Sequence, residues 1–286
     1  GWNKERQSVL QYPSLAQWNE QGTNYHGADS YGSGVTSYYA INTKYTNGLF
    51  GTIHGRFNLG HGLTLHVDPY SITEKGPNNY GETIPVNGGY IGTKRYAYLD
   101  GYKGRTGALT VESVHPWQQH SSGITTALSW QAGHNTLTLS DWYSYADHQE
   151  IQYQYPLTNN GAWSYNTGYL TAGGRTVTPY NVNIVQQINA IALDDKLSLL
   201  GDRLTIDAGL KATMLSRMLS NDMPGASPYK AQPNYFEPNP QLLVSYKLSG
   251  HDQIFFNATT SYRAPASFQA YLQVFSFTSP NPTQQP

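Results

Sequence analysis

Between Leu204 and Met214 two kinds of residue alternate. Leu204, Ile206, Ala208, Leu210, Ala212 and Met214 are apolar, and Thr205, Asp207, Gly209, Lys211 and Thr213 fall between them. A period of two belongs to a strand with one apolar and one polar face, and it excludes an amphipathic helix. At about 3.3 Å per residue, some nine to eleven tilted residues cross the hydrocarbon core of a bilayer. The stretch predicts a strand whose apolar face meets lipid and whose polar face meets a wet lumen. The short connection Leu200-Gly201-Asp202-Arg203 and the extended run from Asn183 to Leu199 before it complete a hairpin.

The unit recurs. Leu49 to Leu59 and Leu63 to Thr73 flank Gly60-His61-Gly62; Ile124 to Gln131 and Thr136 to Tyr145 flank Ala132-Gly133-His134-Asn135; Gln241 to Leu248 and Gln253 to Tyr262 flank Ser249-Gly250-His251-Asp252. Each connection pairs Gly with Asn, Asp or His, as short hairpin turns require. The stretches between the hairpins, from about 74 to 121, 150 to 181 and 219 to 236, are long and rich in Gly, Pro, Asn and Tyr. Short turns at one end and long loops at the other are the habit of bacterial outer-membrane barrels.

Composition agrees with that reading. Charged residues make up 12% and aromatics 13%, with 24 Tyr. Few charges and many tyrosines suit a surface partly in lipid with aromatic girdles at its edges. The mean hydropathy is negative and no run of about 18 apolar residues exists, so a helical membrane protein is excluded while a barrel is not. A net charge of -1 gives no reason to expect nucleic acid, and the absence of Cys removes disulfides and thiolate metal sites. The opening Gly1-Trp2-Asn3-Lys4 has no signal-peptide character, so the chain is expected to be a mature or truncated piece.

Residues 1 to about 47, with Trp2, Trp18, Tyr25, Tyr31, Tyr38 and Tyr39 but no sustained period, read as the end of a long loop. In the first hairpin Leu49, Ile53, Phe57 and Leu59 point one way and Thr52, His54, Arg56 and Asn58 the other. His54, Arg56, His66 and Asp68 thus fall on the lumen side, and Asp207 and Lys211 share the polar face of their own strand. Asp141 breaks the apolar face of Leu137, Leu139, Tyr143 and Tyr145; a β-bulge near Ser140 is expected to turn it away, since a carboxylate in mid-bilayer costs a few kcal/mol. Apolar parity switches between Ala190 and Ile191, which predicts a second bulge. Pro265 is expected to end the last strand, and residues 279 to 286 to open another loop.

Three segments resemble a known family. One runs from Glu237-Pro238-Asn239-Pro240 through the Leu242 to Leu248 strand and on to Tyr262-Arg263-Ala264-Pro265-Ala266-Ser267-Phe268. The second is Arg203-Leu204-Thr205-Ile206-Asp207-Ala208-Gly209-Leu210-Lys211, with Lys211 where the family usually has Arg. The third is Ala132-Gly133-His134-Asn135-Thr136-Leu137 followed by Trp142-Tyr143. Together they resemble the barrel of TonB-dependent outer-membrane receptors, over roughly residues 48 to 270. The family's plug, its TonB-engaging box and a final strand ending in an aromatic residue have no counterpart here, and eight clear strands compare with about twenty-two in such a barrel. The resemblance therefore implies that residues 1 to 286 are an internal piece of the β-barrel domain: all-β, antiparallel, with short periplasmic turns and long extracellular loops.

It also implies a function. The whole receptor is expected to import a scarce ligand across the bacterial outer membrane, an iron-siderophore being the commonest class, with the TonB complex as partner through the plug region. No catalytic constellation and no cofactor or metal site is expected. Loop candidates for the ligand are Tyr153, Tyr155, Trp163, Tyr165 and Arg175, aromatic faces with a cation, against the reading that they only pack the loop. His115 and His120 flank a Pro-Trp pair and read as ordinary polar residues rather than metal ligands. His54, Arg56, His66, Asp68, Asp207 and Lys211 are expected to face the lumen or the plug. A passive porin, or an extracellular β-rich binding or adhesion protein, are the alternatives.

Overall fold

The computed structural model describes residues 2–8, 14–24, 28, 31–32, 35–223, 229–265 and 273–284. Tyr25, Ser267 and Phe268 lie outside the described residues. In chain order the elements are β1 (Trp2–Ser8), helix α1 (Leu15–Gln21), β2 (Thr43–Thr52), β3 (Gly55–Gly60), β4 (Leu63–Pro85), β5 (Tyr90–Ile91), β6 (Lys94–Arg95), β7 (Ala108–Ala132), β8 (Asn135–Ile151) and β9 (Tyr153–Pro156). They continue with β10 (Thr171–Ala172), β11 (Arg175–Thr176), β12 (Asn181–Leu199), β13 (Leu204–Asn221), β14 (Tyr229–Ala231), β15 (Asn234–Lys247), β16 (Gln253–Thr259), β17 (Gln273–Phe275) and β18 (Pro282–Gln284). The chain is all-β. One antiparallel sheet has the order β1-β2-β4-β7-β8-β12-β13-β15-β16, and three two-stranded hairpins lie outside it.

Along the main sheet the strands lie in chain order, with short turns joining β3–β4, β7–β8, β12–β13 and β15–β16 at one end. Gly60, His61 and Gly62 all have positive φ, as do Leu200, Gly201 and Asp202. Between Ala132 and Asn135 only two residues turn the chain, with Gly133 at φ 60°. An L side chain is strained in this region, and glycine is not.

The strands outrun their turn-proximal pattern. β7 has 25 residues, about 80 Å at strand rise, which is more than twice what a bilayer needs. The loop expected from 74 to 121 shrinks to residues 86–107, because β4 continues to Pro85 and β7 begins at Ala108. Prolines disguise this continuity. Pro77 and Pro116 stand opposite each other in the β4–β7 register, where neither is asked for an N–H by the other. Their missing donors fall where the flanking ladders lapse, near Tyr45 on β2 and after Glu150 on β8. Pro69 acts the same way. Ile53 donates to its carbonyl at 3.2 Å but receives nothing in return, so β2 and β3 are one strand interrupted without a change of register.

Residues 2–47 are not one loop. β1 pairs with β2 from Trp2↔Leu49 to Ser8↔Thr43, and β2 starts at Thr43. α1 carries a Ser14–Gln17 capping box, Ser14 Oγ accepting from the Gln17 N–H and Gln17 Oε1 from the Ser14 N–H.

Neither expected bulge forms. β8 pairs without a break to β7 from Asn135 to Glu150 and to β12 from Asn135 to Ile151, so Asp141 stays on the apolar face between Thr126 and Ile191. Two locked neighbours leave no room for an extra residue. β12 is equally regular against β8 and β13. Its switch of parity is a change in which face is covered. Val182 and Ile184 are buried on one face under the loops, whereas Ile191 and Leu193 are about half exposed on the other, nearer the turns. The last strand ends at Thr259, six residues before Pro265, and residues 282–284 pair with β17 instead of opening a loop. Pro238 and Pro240 sit in β15 beyond the reach of β16, which pairs only with residues 241–247, so their missing donors fall on an open edge.

Register shows how the faces are arranged. Phe57, Leu65, Leu128, Leu139, Leu193 and Leu210 form one cross-strand row over β3, β4, β7, β8, β12 and β13. Leu139, Leu193 and Leu210 are 51%, 50% and 52% exposed, so no described residue covers this part of the row. At the other end the long connections pack inward on the opposite face. Ile84, Val111, Leu170, Val177, Met223, Phe275 and Phe277 form a buried core with Ile91, Tyr96 and Leu99. The loops thus make an ordered cap.

Candidate functional site

The polar face next to the leucine row collects most of the lumen candidates. Arg56, His66, Ala127, Ser140, Ala192 and Lys211 are in one register row, adjacent to the leucines and on the opposite face. His54 Nδ1 lies 3.1 Å from Asp68 Oδ1 across the Pro69 interruption, with both side chains in the open. The Lys211 ammonium sits 5.9 Å from the centre of the Trp142 ring, whose Nε1–H donates to the Tyr70 hydroxyl at 3.2 Å. Further along this face Trp142, Lys211, Arg217, Tyr235, Tyr262 and Arg263 line a groove of about 450 Å³. Asp207 stands opposite Lys196 in the β12–β13 ladder. Nearer the turns, Gln241 Nε2 donates to Asp194 Oδ1 at 2.6 Å. It reaches across Gly209, where a Cβ would lie 2.1 Å from that oxygen. Gly209 is therefore needed for its lack of a side chain.

Beyond this band the same face closes over a buried polar cluster. Tyr80 and Glu82 come from β4, Ser113 and His115 from β7, His148 and Glu150 from β8, Gln152 and Gln154 from the β9 region, and Tyr180 from the chain entering β12. Gln152 Nε2 donates to Glu82 Oε2 at 2.7 Å, and Gln154 Nε2 to Ser113 Oγ at 3.1 Å. Gln152 also donates to Ser113 Oγ. Ser113 Oγ also lies 3.2 Å from His115 Nε2. His115 Nδ1 faces Glu150 Oε1 at 3.3 Å and the Tyr180 hydroxyl. Tyr180 donates to Glu150 Oε1 at 2.7 Å, and His148 Nε2 lies 3.3 Å from Oε2.

Electrostatics follow from these contacts. Burial alone would raise the Glu150 pKa, but hydrogen bonds from His115, His148 and Tyr180 outweigh it and bring it down to about 2. Burial pushes His115 down, against the pull of Glu150, and so favours the neutral imidazole. Burial raises Glu82 and Tyr180. The cluster bolts the loop entering β12 to β7 and β8.

The loop candidates separate into two places. Tyr155, Trp163 and Tyr165 pack on one another with ring centres 4.8 to 5.6 Å apart, and Tyr153 packs on Tyr169 at 4.8 Å. Tyr155 shares its register row with Glu112, which is fully buried, has no hydrogen-bond partner for either carboxylate oxygen among the described residues, and is pushed up to about 9 by burial. Arg175 is elsewhere, in β11, lining a separate cavity. His115 and His120 stand five residues apart on β7 and therefore on opposite faces; His120 Nδ1 lies 3.1 Å from Thr73 Oγ1. Sequence reasoning passed over Glu150, Tyr180, Ser113 and Glu82, which have no periodic signature and meet only through long-range pairing.

No family model matches the sequence, and no curated protein does. Among solved structures, the chain is similar to the ferric citrate transporter FecA in its unliganded form, at 14% identity and TM-score 0.49, covering 75% of this chain and 27% of that one. It is similar to BauA, the ferric preacinetobactin receptor from Acinetobacter baumannii, at 14% identity and TM-score 0.46, covering 81% and 32%. It is also similar to the ferric-catecholate import receptor Fiu from E. coli K12 in its closed form, at 12% identity and TM-score 0.48, covering 88% and 37%. The chain thus spans between a quarter and two-fifths of the length of these proteins, and at such scores the likeness decides nothing about function.

Proposed function

We propose that this chain is part of the β-barrel of a TonB-dependent receptor in the bacterial outer membrane, where it imports a scarce ligand of the iron-siderophore class and catalyses no reaction. The observation that carries the reading is the uncovered row of Phe57, Leu65, Leu128, Leu139, Leu193 and Leu210. In water six adjacent strands would leave such a row as an aggregation surface, whereas in lipid it is the outer wall of a barrel. The polar row beside it, with Arg56, His66 and Lys211, would line the lumen and meet a plug. An inward-folded cap core suits a receptor and a passive porin alike. Motifs at Arg203–Lys211, Ala132–Tyr143 and Tyr262–Pro265 bring TonB into the reading.

Uptake of a radiolabelled ferric chelate by iron-starved cells, with and without the full-length gene, tests it. Gene-dependent uptake that a protonophore or loss of TonB abolishes is expected. Gene-dependent entry that survives both treatments would point to a porin, and a gene product outside the membrane fraction would point to a secreted binding protein.

A further inference from the structure

Loop 86–107 and the β10–β11 hairpin line an open pocket of about 610 Å³, large enough for a chelate-sized molecule. Lys94, Arg95, Lys103 and Arg175 all line it, four of the 17 basic residues in a chain whose net charge is -1. The one carboxylate in the lining, Asp100, is held ionised by its hydrogen bonds, so the lining carries four cations against one anion. It accepts from the Gly173 and Gly174 N–H groups, both at 2.9 Å, and from the Thr171 hydroxyl at 2.7 Å. Arg95 Nε donates to the Gly88 carbonyl at 3.1 Å, which orients its guanidinium without neutralising it. Among the described residues none of the four cations is held in an ion pair, so the lining keeps a net positive charge.

The walls are fixed. Ile91, Tyr96, Leu99 and Ala172 line the cavity and also belong to the buried cap core, and the Tyr96 hydroxyl donates to the Pro85 carbonyl at 2.7 Å. Like charges gathered around one pocket favour the entry of an anion, and an apolar floor already in shape gives up little entropy when a ligand binds.

We propose that this cavity binds a polyanionic small molecule. Resting on the receptor reading, this makes the imported ligand an anionic metal chelate with carboxylate or catecholate oxygens, not a neutral one. Arg175 and Arg95 would engage paired oxygens through their planar forks, Lys94 and Lys103 would add charge, and Tyr98 would supply an aromatic wall.

The test uses the full-length protein in detergent micelles, with tryptophan fluorescence as the readout. The probes are iron(III) citrate, an iron(III) tris-catecholate and a neutral ferric trihydroxamate. At least one of the two polyanions is expected to bind saturably. Its Kd should weaken on the order of tenfold or more in a Lys94→Gln/Lys103→Gln/Arg175→Gln variant, and weaken again as salt is raised. All three positions are exposed, so the variant should keep the wild-type circular dichroism spectrum. Failure of both polyanions to bind, an unchanged Kd in the triple variant, or equal affinity for the neutral chelate would overturn the proposal. The two readings fail separately. Binding that depends on these residues without energised uptake would leave the site and remove the transporter, and energised uptake indifferent to the triple variant would do the reverse.

Discussion

Leu139→Arg and Ser140→Arg are adjacent changes on one strand that should differ sharply. Leu139 is 51% exposed and lies between Leu128 and Leu193 in the register. Ser140, on the other face, lies between Ala127 and Ala192. If the chain were in water on both faces, an arginine at either site would be a surface change within about 0.5 kcal/mol of neutral. If Leu139 meets hydrocarbon, arginine there costs about 2–4 kcal/mol near the bilayer midplane, while the lumen site stays near zero. The difference is roughly a 30- to 700-fold change in the folding equilibrium. The assay is guanidinium titration of the full-length protein and each variant in phosphatidylcholine vesicles, followed by tryptophan fluorescence. A loss confined to Leu139→Arg supports a lipid-facing leucine row. Equal effects at the two sites would refute it.

Gly209→Ala should destabilise by about 1–2 kcal/mol, since its Cβ would collide with Asp194 Oδ1 and break the hydrogen bond from Gln241; the same change in an Asp194→Ala background should cost much less. Glu150 has its pKa lowered to about 2 in the fold, so its stabilisation is complete above the unfolded value near 4.5 and disappears as pH falls toward 2; Glu150→Gln should flatten the acid limb of a thermal melt between pH 5 and 2. Glu112 behaves oppositely. With its pKa raised to about 9, the fold holds the proton that the unfolded chain releases, so stability declines as pH rises from about 4.5 to 9, and Glu112→Gln should raise the Tm more at pH 9 than at pH 5. Asp100→Ala removes the acceptor for Thr171, Gly173 and Gly174 and should speed protease cleavage at Gly173–Gly174, as read by mass spectrometry.

The turn-proximal half of the sheet was legible in the sequence because one face must be apolar there. The pattern Leu204 to Met214 names its own strand, and Gly133 or Gly201 names its own turn. The cap was not legible. Ile84, Leu99, Val177 and Phe277 belong to one core yet come from four distant segments with no common period, and only pairing brings them together. The parity change in β12 carried a false message for the same reason. Val182 and Ile184 answer to the cap and Ile191 and Leu193 to the opposite face, so a straight strand imitates a bulge. Prolines misled in the opposite direction, since Pro77 and Pro116 read as loop residues although each sits where a ladder has no use for its donor. Arg175 was grouped by sequence with aromatics that pack elsewhere. It joins Lys94, Arg95 and Lys103, which are 72 to 81 residues away in sequence.

The central claim is that β12 presents one face to lipid near the turns and buries the other under the cap. Nitroxide labels on single cysteines at positions 182 to 195 of the full-length protein, reconstituted in bilayers, test it directly; this segment's own chain contains no cysteine to compete. The account predicts oxygen-accessible, nickel-shielded labels at positions 191 and 193, nickel access at 192, and immobile labels at 182 and 184. Nickel reaching 191 and 193 as readily as 192 would contradict it.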